Sequence, residues 1–264
     1  MIEHSKKEKE DNPMEVKISI SEAKELLFSS DAKYVSQEQS SIYYDNFSGR
    51  APVDTYMTCG CLVVKSGSDW HIHAVSNKSD VSSAIQEVNK FMDPSADKLM
   101  VLTWDNIPDE LTDKRGAYKF VRGYLPNSDP SVRELTTEDY EQVKTCCMYD
   151  SEDNQIGKNI ANDFITYYND FMNDDNTINL GLFEEDNLVG FVQSSKQNDL
   201  GISTVNIFVK REYRKKGYAK RLLSAVCATS ENIMYCYSCV KTNIASINTA
   251  KSCGFEFKGA YLFI

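Results

Sequence analysis

The chain has 264 residues, with 29 basic and 39 acidic side chains and a formal charge of −10. That length accommodates one large domain or two small ones. A hydrophobic content of 41%, with 11% aromatic, is enough for a packed core and excludes a disordered chain. No apolar run approaches the roughly 18 residues of a membrane span, and the charged segment Met1–Asn12 lacks the apolar stretch of a secretory leader. The acidity argues against a nucleic-acid binder, which needs a positive surface to neutralise phosphates, and leans toward cationic partners.

In chain order, residues 1–14 read as a polar tail. Ser19 to Phe28 has helical spacing, with Ser19 or Ser21 as N-cap. Residues 36–50 are polar and carry no clear periodicity. Tyr56–Lys65 and Trp70–Val75 are rich in β-formers and are separated by Ser-Gly-Ser-Asp, the pattern of a two-strand hairpin. Asp80 caps a helix to about Met92 that places Val81, Ala84, Ile85 and Val88 on one face. Asp93-Pro94 ends it, and Lys98–Trp104 reads as a short buried strand.

Pro126-Asn-Ser-Asp-Pro130 is the strongest boundary signal in the chain. It separates an N-terminal α/β domain, residues 15–126, from a second domain, residues 131–264. The second opens with a strand at Val132 and a helix capped by Thr136 or Thr137, with acidic residues in its first turn. A further helix spans Lys158–Met172. Strands Ile178–Phe183 and Leu188–Ser194 form a hairpin through Glu-Glu-Asp-Asn, and Thr204–Val209 is a third strand. Then follow a helix over Gly217–Thr229, a strand over Ile233–Cys239, a helix over Ala245–Ser252, and two closing strands, Phe255–Lys258 and Ala260–Ile264.

The eight cysteines include Cys236-x-x-Cys239 and the close pair Cys59 and Cys61. Both pairs lie in strand-like apolar runs, where neighbouring residues alternate faces, so they read as reduced, buried thiols of a cytoplasmic protein rather than as zinc ligands. His71 and His73 share a strand face without an evident third metal ligand, and the Asp/Asn runs lack the Gly and closing Glu of a calcium loop. No metal is expected.

The negative total conceals one basic island. Seven of the twelve residues from Lys210 to Arg221 are basic. The island joins the alternating strand Val205, Ile207, Val209 to an amphipathic helix carrying Leu222, Leu223 and Val226. Within it, Arg214-x-x-Gly217-x-Ala219 forms an anion cradle. Gly217 lets the backbone approach a ligand, Ala219 keeps the helix start narrow, and the first helical turn offers unpaired N–H groups and a positive dipole end. Arg214, Lys215 and Lys216 add charge, and a pyrophosphate would fit. Downstream lies Asn243-x-x-Ser246, followed by Gly254-Phe255 at the end of the same helix.

With these two motifs, residues 130–264 resemble the Gcn5-related N-acetyltransferase superfamily, in element order as well as in signature. The resemblance implies a mixed central sheet flanked by helices (α/β, α+β) and acetyl-CoA as cosubstrate. It implies that Ile207, Phe208 and Val209 pair with the pantetheine arm like an extra strand. It implies too that the amides of Arg214, Lys215, Lys216, Gly217, Tyr218 and Ala219 hold the pyrophosphate and that the Asn243 side chain reaches the pantetheine. The amine then enters on the opposite side, where strands Thr204–Val209 and Ile233–Cys239 part. Many members carry a Tyr seven residues after the Asn. Here that position is Ala250, so Ser246 becomes the candidate acid for the leaving thiolate, against its alternative as a helix-turn Ser bonded to backbone. Tyr237 and Tyr261 are substitutes. No acidic residue lies on Thr204–Val209 to act as base, which leaves a water-relayed base or catalysis by proximity alone.

A shift of 137 residues brings the halves into partial agreement. Helix Val81–Met92 falls over Tyr218–Ser230, Lys98–Thr103 over Tyr235–Val240, and Phe120, Tyr124 and Leu125 over Phe257, Tyr261 and Leu262. The first half therefore reads as a degenerate tandem copy, and Val75–Asp80 contains no Gly to form a cradle. The expected activity is transfer of an acetyl group to a primary amine of a small molecule or peptide, with no nucleic-acid or membrane partner. The alternative is a catalytically silent CoA-binding or interaction protein. The acceptor, the acyl length and the oligomeric state are not encoded in any motif. The acidity points weakly toward a polyamine, an aminoglycoside or a peptide N-terminus.

Overall fold

A computed structural model describes residues 16–36, 53–104, 107–150, 162–195 and 201–264. The expected polar tail and the region 37–52 lie outside the described residues. The chain divides into two compact units. One comprises residues 1–114 with 262–264, the other residues 115–261.

In the first unit, β1 (Val16–Lys17) leads into α1 (Ile20–Phe28) and a short α2 (Ala32–Ser36). Ser19 caps α1 through a capping box. Its hydroxyl accepts from the Glu22 amide, and the Glu22 carboxylate accepts from the Ser19 amide at 2.8 Å. This fixes the helix start and directs Ala23 and Leu27 onto Leu62 and Val64 of the sheet. The sheet runs β1, β2 (Val53–Thr58), β3 (Cys61–Ser66), β4 (Asp69–Ala74), β5 (Lys98–Trp104), all antiparallel except the parallel β4–β5 pair. The run 56–65, read as one strand, is two. Cys59 and Gly60 both have positive φ (50° and 70°), which closes the two-residue hairpin between β2 and β3. Helix α3 (Val81–Asn89), capped by Asp80, buries Val81, Ala84 and Val88. The chain end returns to this unit, the Ile264 amide donating to the Leu99 carbonyl at 3.1 Å.

The second unit starts inside the sequence of the first half. Strand β6 (Gly116–Arg122) pairs antiparallel with β11 (Met234–Val240), with Lys119 opposite Ser238. The division therefore falls at 114/115 and not at the 126–130 segment, because a strand that precedes the prolines takes its hydrogen bonds from the later half. Arg221 of α6 (Tyr218–Cys227) holds Asp129 through two bonds of 2.6 and 2.8 Å, which fastens the proline segment to that helix.

The strand order in this unit is β12 (Glu256–Phe263), β6, β11, β10 (Ile202–Val209), β9 (Asn187–Ser195), β8 (Thr177–Glu184), β7 (Val132–Glu134). Only β10–β11 among its paired neighbours with described register is parallel. The β8–β9 turn is Glu185–Asp186, both at positive φ. The two closing strands expected at the C-terminus are one, since Gly259 at φ 141° carries β12 through without a break. Thr136 and Asp139 form a capping box ahead of α4 (Tyr140–Asp150), and Asp139 is paired to Arg133. The helix expected over 158–172 is described from residue 162. Residues 162–166 are helical, Tyr167 is a turn, and α5 covers Tyr168–Asn173.

Two helical layers cover the two faces of this sheet. On one, Leu222, Leu223 and Val226 of α6 and Ile247 and Ala250 of α7 (Ile244–Ser252) pack on Val205, Tyr235 and Tyr237. Each of the buried leucines contributes about 1.5–3 kcal/mol. On the other, Val143 of α4 and Tyr168 of α5 pack with Phe191 and Phe208, whose rings stack at 4.7 Å.

Candidate functional site

The parallel pairing of β10 with β11 runs from Ile202–Met234 to Val205–Tyr237 and stops. Asn206 to Val209 continue to pair with β9, from Gln193 to Gly190, but have no strand partner on the β11 side among the described residues. One backbone edge of Ile207, Phe208 and Val209 therefore lacks a strand partner among the described residues, apart from the Val209 carbonyl, which accepts from Arg214. The side chains are fixed from both faces, Ile207 and Val209 against the α6 layer and Phe208 against Phe191. Gly190 keeps this stretch close to β9, because a Cβ there would lie 2.6 Å from the Phe208 carbonyl oxygen.

After Val209 the chain makes a 3-10 turn (Arg211–Tyr213) and enters α6 through Gly217 at φ 86°. Lys215 is also at positive φ (61°). Two left-handed residues two positions apart, Lys215 and Gly217, bend the loop sharply ahead of the helix, as in backbone concavities that bind anions. No side chain caps α6. The amide N–H groups of Lys215 to Lys220 have no acceptor among the described residues. A Cβ built on Gly217 would meet nothing within 4 Å, so the space in front of the loop is open.

Arg214, Lys216 and Tyr218 of the island are held by protein partners. Arg214 turns back, its Nε donating to the Val209 carbonyl at 3.0 Å, and so braces the loop against the strand end. Lys216 lies over the Tyr213 ring, 5.1 Å from its centroid. The Tyr218 hydroxyl donates to Glu184, which holds the phenol above its ordinary pKa. Ala219 follows in the first turn of α6.

Asn243 is the N-cap of α7. Its Oδ1 accepts from the Ser246 amide at 3.1 Å, and its Nδ2 donor makes no hydrogen bond among the described residues. The Ser246 hydroxyl makes no hydrogen bond among the described residues, so the alternative of a backbone-bonded helix Ser does not describe it. Ala250 is fully buried in the α6–α7 layer. Tyr237 is buried beside Phe255, and the Tyr261 ring lies 5.4 Å from the Lys119 ammonium.

The corresponding junction of the first unit is built differently. Between β4 and α3 the Ser79 hydroxyl accepts from the Val75 and Ser76 amides at 3.1 and 3.2 Å and donates to the Gly60 carbonyl at 2.6 Å. The Asp80 carboxylate caps α3, accepting from the Ser83 amide at 3.0 Å. Here the amides of Val75, Ser76, Lys78 and Ser83 are satisfied by the chain's own side chains and those of Ser79 and Asp80 by carbonyls, and a negative charge sits at the helix start. The β4–β5 pairing also runs to His73–Leu102, one residue short of the end of β4. These closures were not foreseen beyond the missing Gly. Ser79 three residues after Ser76, with Asp80 at the helix start, was the available signal.

The eight cysteines are free thiols, and burial pushes Cys61 and Cys227 up to about 12. Among the described residues no three His, Cys, Asp or Glu side chains come together as a metal-holding group, and no helix is long and apolar enough to cross a membrane.

Comparison with known proteins adds three findings. The profile of the acetyltransferase (GNAT) family matches residues 130–255. Among solved structures, a GNAT-family acetyltransferase from Colwellia psychrerythraea aligns over 94% of this chain and 98% of its own, with TM-score 0.57 at 11% identity. A functionally unknown conserved protein from Staphylococcus epidermidis (TM-score 0.53, 12% identity, 88% and 97% covered) and a Drosophila protein (0.52, 15%, 94% and 98%) share the fold. A search of curated proteins finds no significant match.

Proposed function

We propose that the chain is an acetyl-CoA-dependent N-acetyltransferase acting on a primary amine, a reading that proceeds from the match of residues 130–255 to the acetyltransferase (GNAT) family. The observation that carries this reading is the run of six unsatisfied amides, Lys215 to Lys220, at the start of α6, directly after a strand with an open edge. The residues fit the cosubstrate. The amides and the helix dipole suit a pyrophosphate, the edge of Ile207–Val209 suits an extended amide-bearing arm, and Asn243 Nδ2 offers a donor beyond it.

When bound, acetyl-CoA supplies a thioester carbonyl to a neutral amine. The C–N bond forms as the C–S bond breaks, the amine proton leaves to water, and the thiolate takes a proton. Ser246, whose hydroxyl is uncommitted, is the candidate donor of that proton. The chain's main contribution is alignment of the two reactants. The self-filled loop of the first unit supports one cosubstrate per chain, with that unit read as a degenerate second copy.

One feature favours a second reading, a silent CoA-binding protein: Ala250 stands where many relatives carry Tyr. Thiol release from acetyl-CoA over a panel of amines decides between them. Turnover with at least one primary amine supports the enzyme, whereas CoA binding without thiol release supports the silent protein. Ser246→Ala slows turnover more at low pH than at high pH if Ser246 is the acid, and equal rates across pH remove it from that role.

A further inference from the structure

The strand registers of the second unit place polar side chains in one row across the sheet. Asn179 of β8 is opposite Gln193 of β9, and Gln193 is opposite Asn206 of β10. Asn206 is the first residue of β10 beyond the β11 pairing, and Ser238 is the next residue of β11. Ser238 is in turn opposite Lys119 of β6, whose ammonium donates to the Ser238 hydroxyl. Residues directly opposite on adjacent strands share a face. This is the face of Phe208, covered by α4 and α5 and opposite the α6 layer. The row therefore crosses the sheet where β10 and β11 part.

The members are unusual for a sheet interior. Asn179 and Gln193 are each only 9% exposed, and Lys119 is fully buried. Asn179 spends its Nδ2 on the Phe171 carbonyl and the Thr177 hydroxyl, at 3.0 Å each, while its buried Oδ1 has no hydrogen-bond partner. Gln193 and Asn206 make no side-chain hydrogen bond among the described residues. An unmade bond on the buried Asn179 oxygen costs about 1–3 kcal/mol, and folding alone gives no reason for half-buried Asn206 and buried Gln193 to continue that amide row across the next two strands. On these strands the residues that share the face are Thr177, Asn179, Gln193, Thr204, Asn206, Cys236, Ser238 and Lys119 among the polar ones, and none is acidic.

We infer that Asn206 and Gln193 contact the acceptor of the proposed transfer, with Asn179 as the buried end of the strip, and that the acceptor is an amino acid or peptide-type amine. This rests on the N-acetyltransferase reading. Three amides on successive strands, spaced about 5 Å apart, match a molecule that carries hydrogen-bonding carbonyl and N–H groups beside its amine. The Lys119 ammonium, fully buried and bonded to Ser238 on the other side of the parting, contributes a positive field that favours a carboxylate there. A polyamine or an aminoglycoside, each bearing several cations, meets no carboxylate on this face of the described strands and is disfavoured by the field of Lys119. The net acidity of the chain is thus not carried into the acceptor surface of the sheet.

The test uses the full chain. CoA binding is first measured by calorimetry. Thiol release at saturating acetyl-CoA is then followed with alanine, alanine amide, dialanine, spermidine and kanamycin. The expected result is a kcat/KM at least tenfold higher for an alanine-type acceptor than for spermidine or kanamycin. Preference for the free acid marks recognition of a carboxylate, and preference for the amide or dipeptide marks a peptide N-terminus. Gln193→Leu, which loses no existing hydrogen bond, raises the KM of the preferred acceptor at least tenfold with kcat and CoA affinity within twofold. Gln193→Glu shifts preference toward spermidine. Preference of the unaltered chain for spermidine or kanamycin, an unchanged KM in Gln193→Leu, or failure to use any alanine-type acceptor while CoA binds overturns the inference. Failure to bind CoA overturns the N-acetyltransferase reading itself, and the inference with it.

Discussion

Replacement of Gly217 by valine separates the cradle's geometry from the stability of the fold. Gly217 sits at φ 86°, a conformation that costs a β-branched residue about 2 kcal/mol. There is no steric addition to that cost, because nothing lies within 4 Å of the new Cβ. For a chain of this size such a loss lowers Tm by about 4–8 °C. The variant remains folded at 25 °C. Binding responds more strongly. The amides of Lys215 to Lys220 are without acceptors in a loop whose course is set by left-handed Lys215 and Gly217, so a change at Gly217 displaces them. Each hydrogen bond to a charged phosphate contributes about 1.5–3 kcal/mol, so misalignment of two of them costs about 3 kcal/mol, or roughly a hundredfold in Kd. The new isopropyl group also occupies the space where the phosphates lie. Gly123→Ala is the control, since Gly123 has neither a positive φ nor a neighbour within 4 Å of a Cβ. Calorimetric titration with CoA and a thermal melt of both variants check the argument. A Gly217→Val chain with a lowered Tm but a CoA Kd within twofold of the parent refutes it.

Three further outcomes are expected. CoA titrates to one site per chain, because Ser79 and Asp80 fill the first unit's loop, and a stoichiometry of two contradicts this. The first unit loses stability in mild acid. Burial depresses both His71 and His73, His73 well below its ordinary value, with His71 lowering it further. Their contribution is complete above the unfolded value near 6.5 and is lost as pH falls from there toward the folded values, at up to about 2.7 kcal/mol per pH unit for two protons. Melts from pH 7.5 to 5 read this, and His73→Leu halves the slope. Asp129→Ala removes the partner of Arg221 and loosens the 126–130 segment from α6. With Arg221 about a third exposed, the cost is about 1–2 kcal/mol, read as a Tm shift, and no change in Tm argues against that fastening.

The parts of the structure that the sequence makes legible are those decided locally. Ser19, Asp80 and Asn243 each cap the helix that follows, as their side-chain oxygens and the apolar spacing behind them require. The basic island and the left-handed Gly217 between β10 and α6 are likewise local. The β2–β3 turn was hidden because Cys59 and Gly60 interrupt an otherwise continuous run of β-formers, and Cys59 is not a residue that announces a positive φ. Gly259 misled in the opposite sense, since it passes through β12 without ending it. The placement of residues 116–122 in one unit and 262–264 in the other depends on pairing between segments more than a hundred residues apart, which no window of sequence contains. The reversed Arg214 side chain, the closure of the first loop by Ser79 and the row Asn179–Gln193–Asn206 depend on tertiary register in the same way.

The most direct test of the account is a crystal structure of the chain with CoA. The account predicts one CoA per chain, with its pyrophosphate within hydrogen-bonding distance of the amides of Lys215 to Lys220, its pantetheine arm along the open edge of Asn206 to Val209, and Asn243 Nδ2 donating to that arm. CoA seated at the β4–α3 junction, or away from the β10–β11 parting, would contradict it.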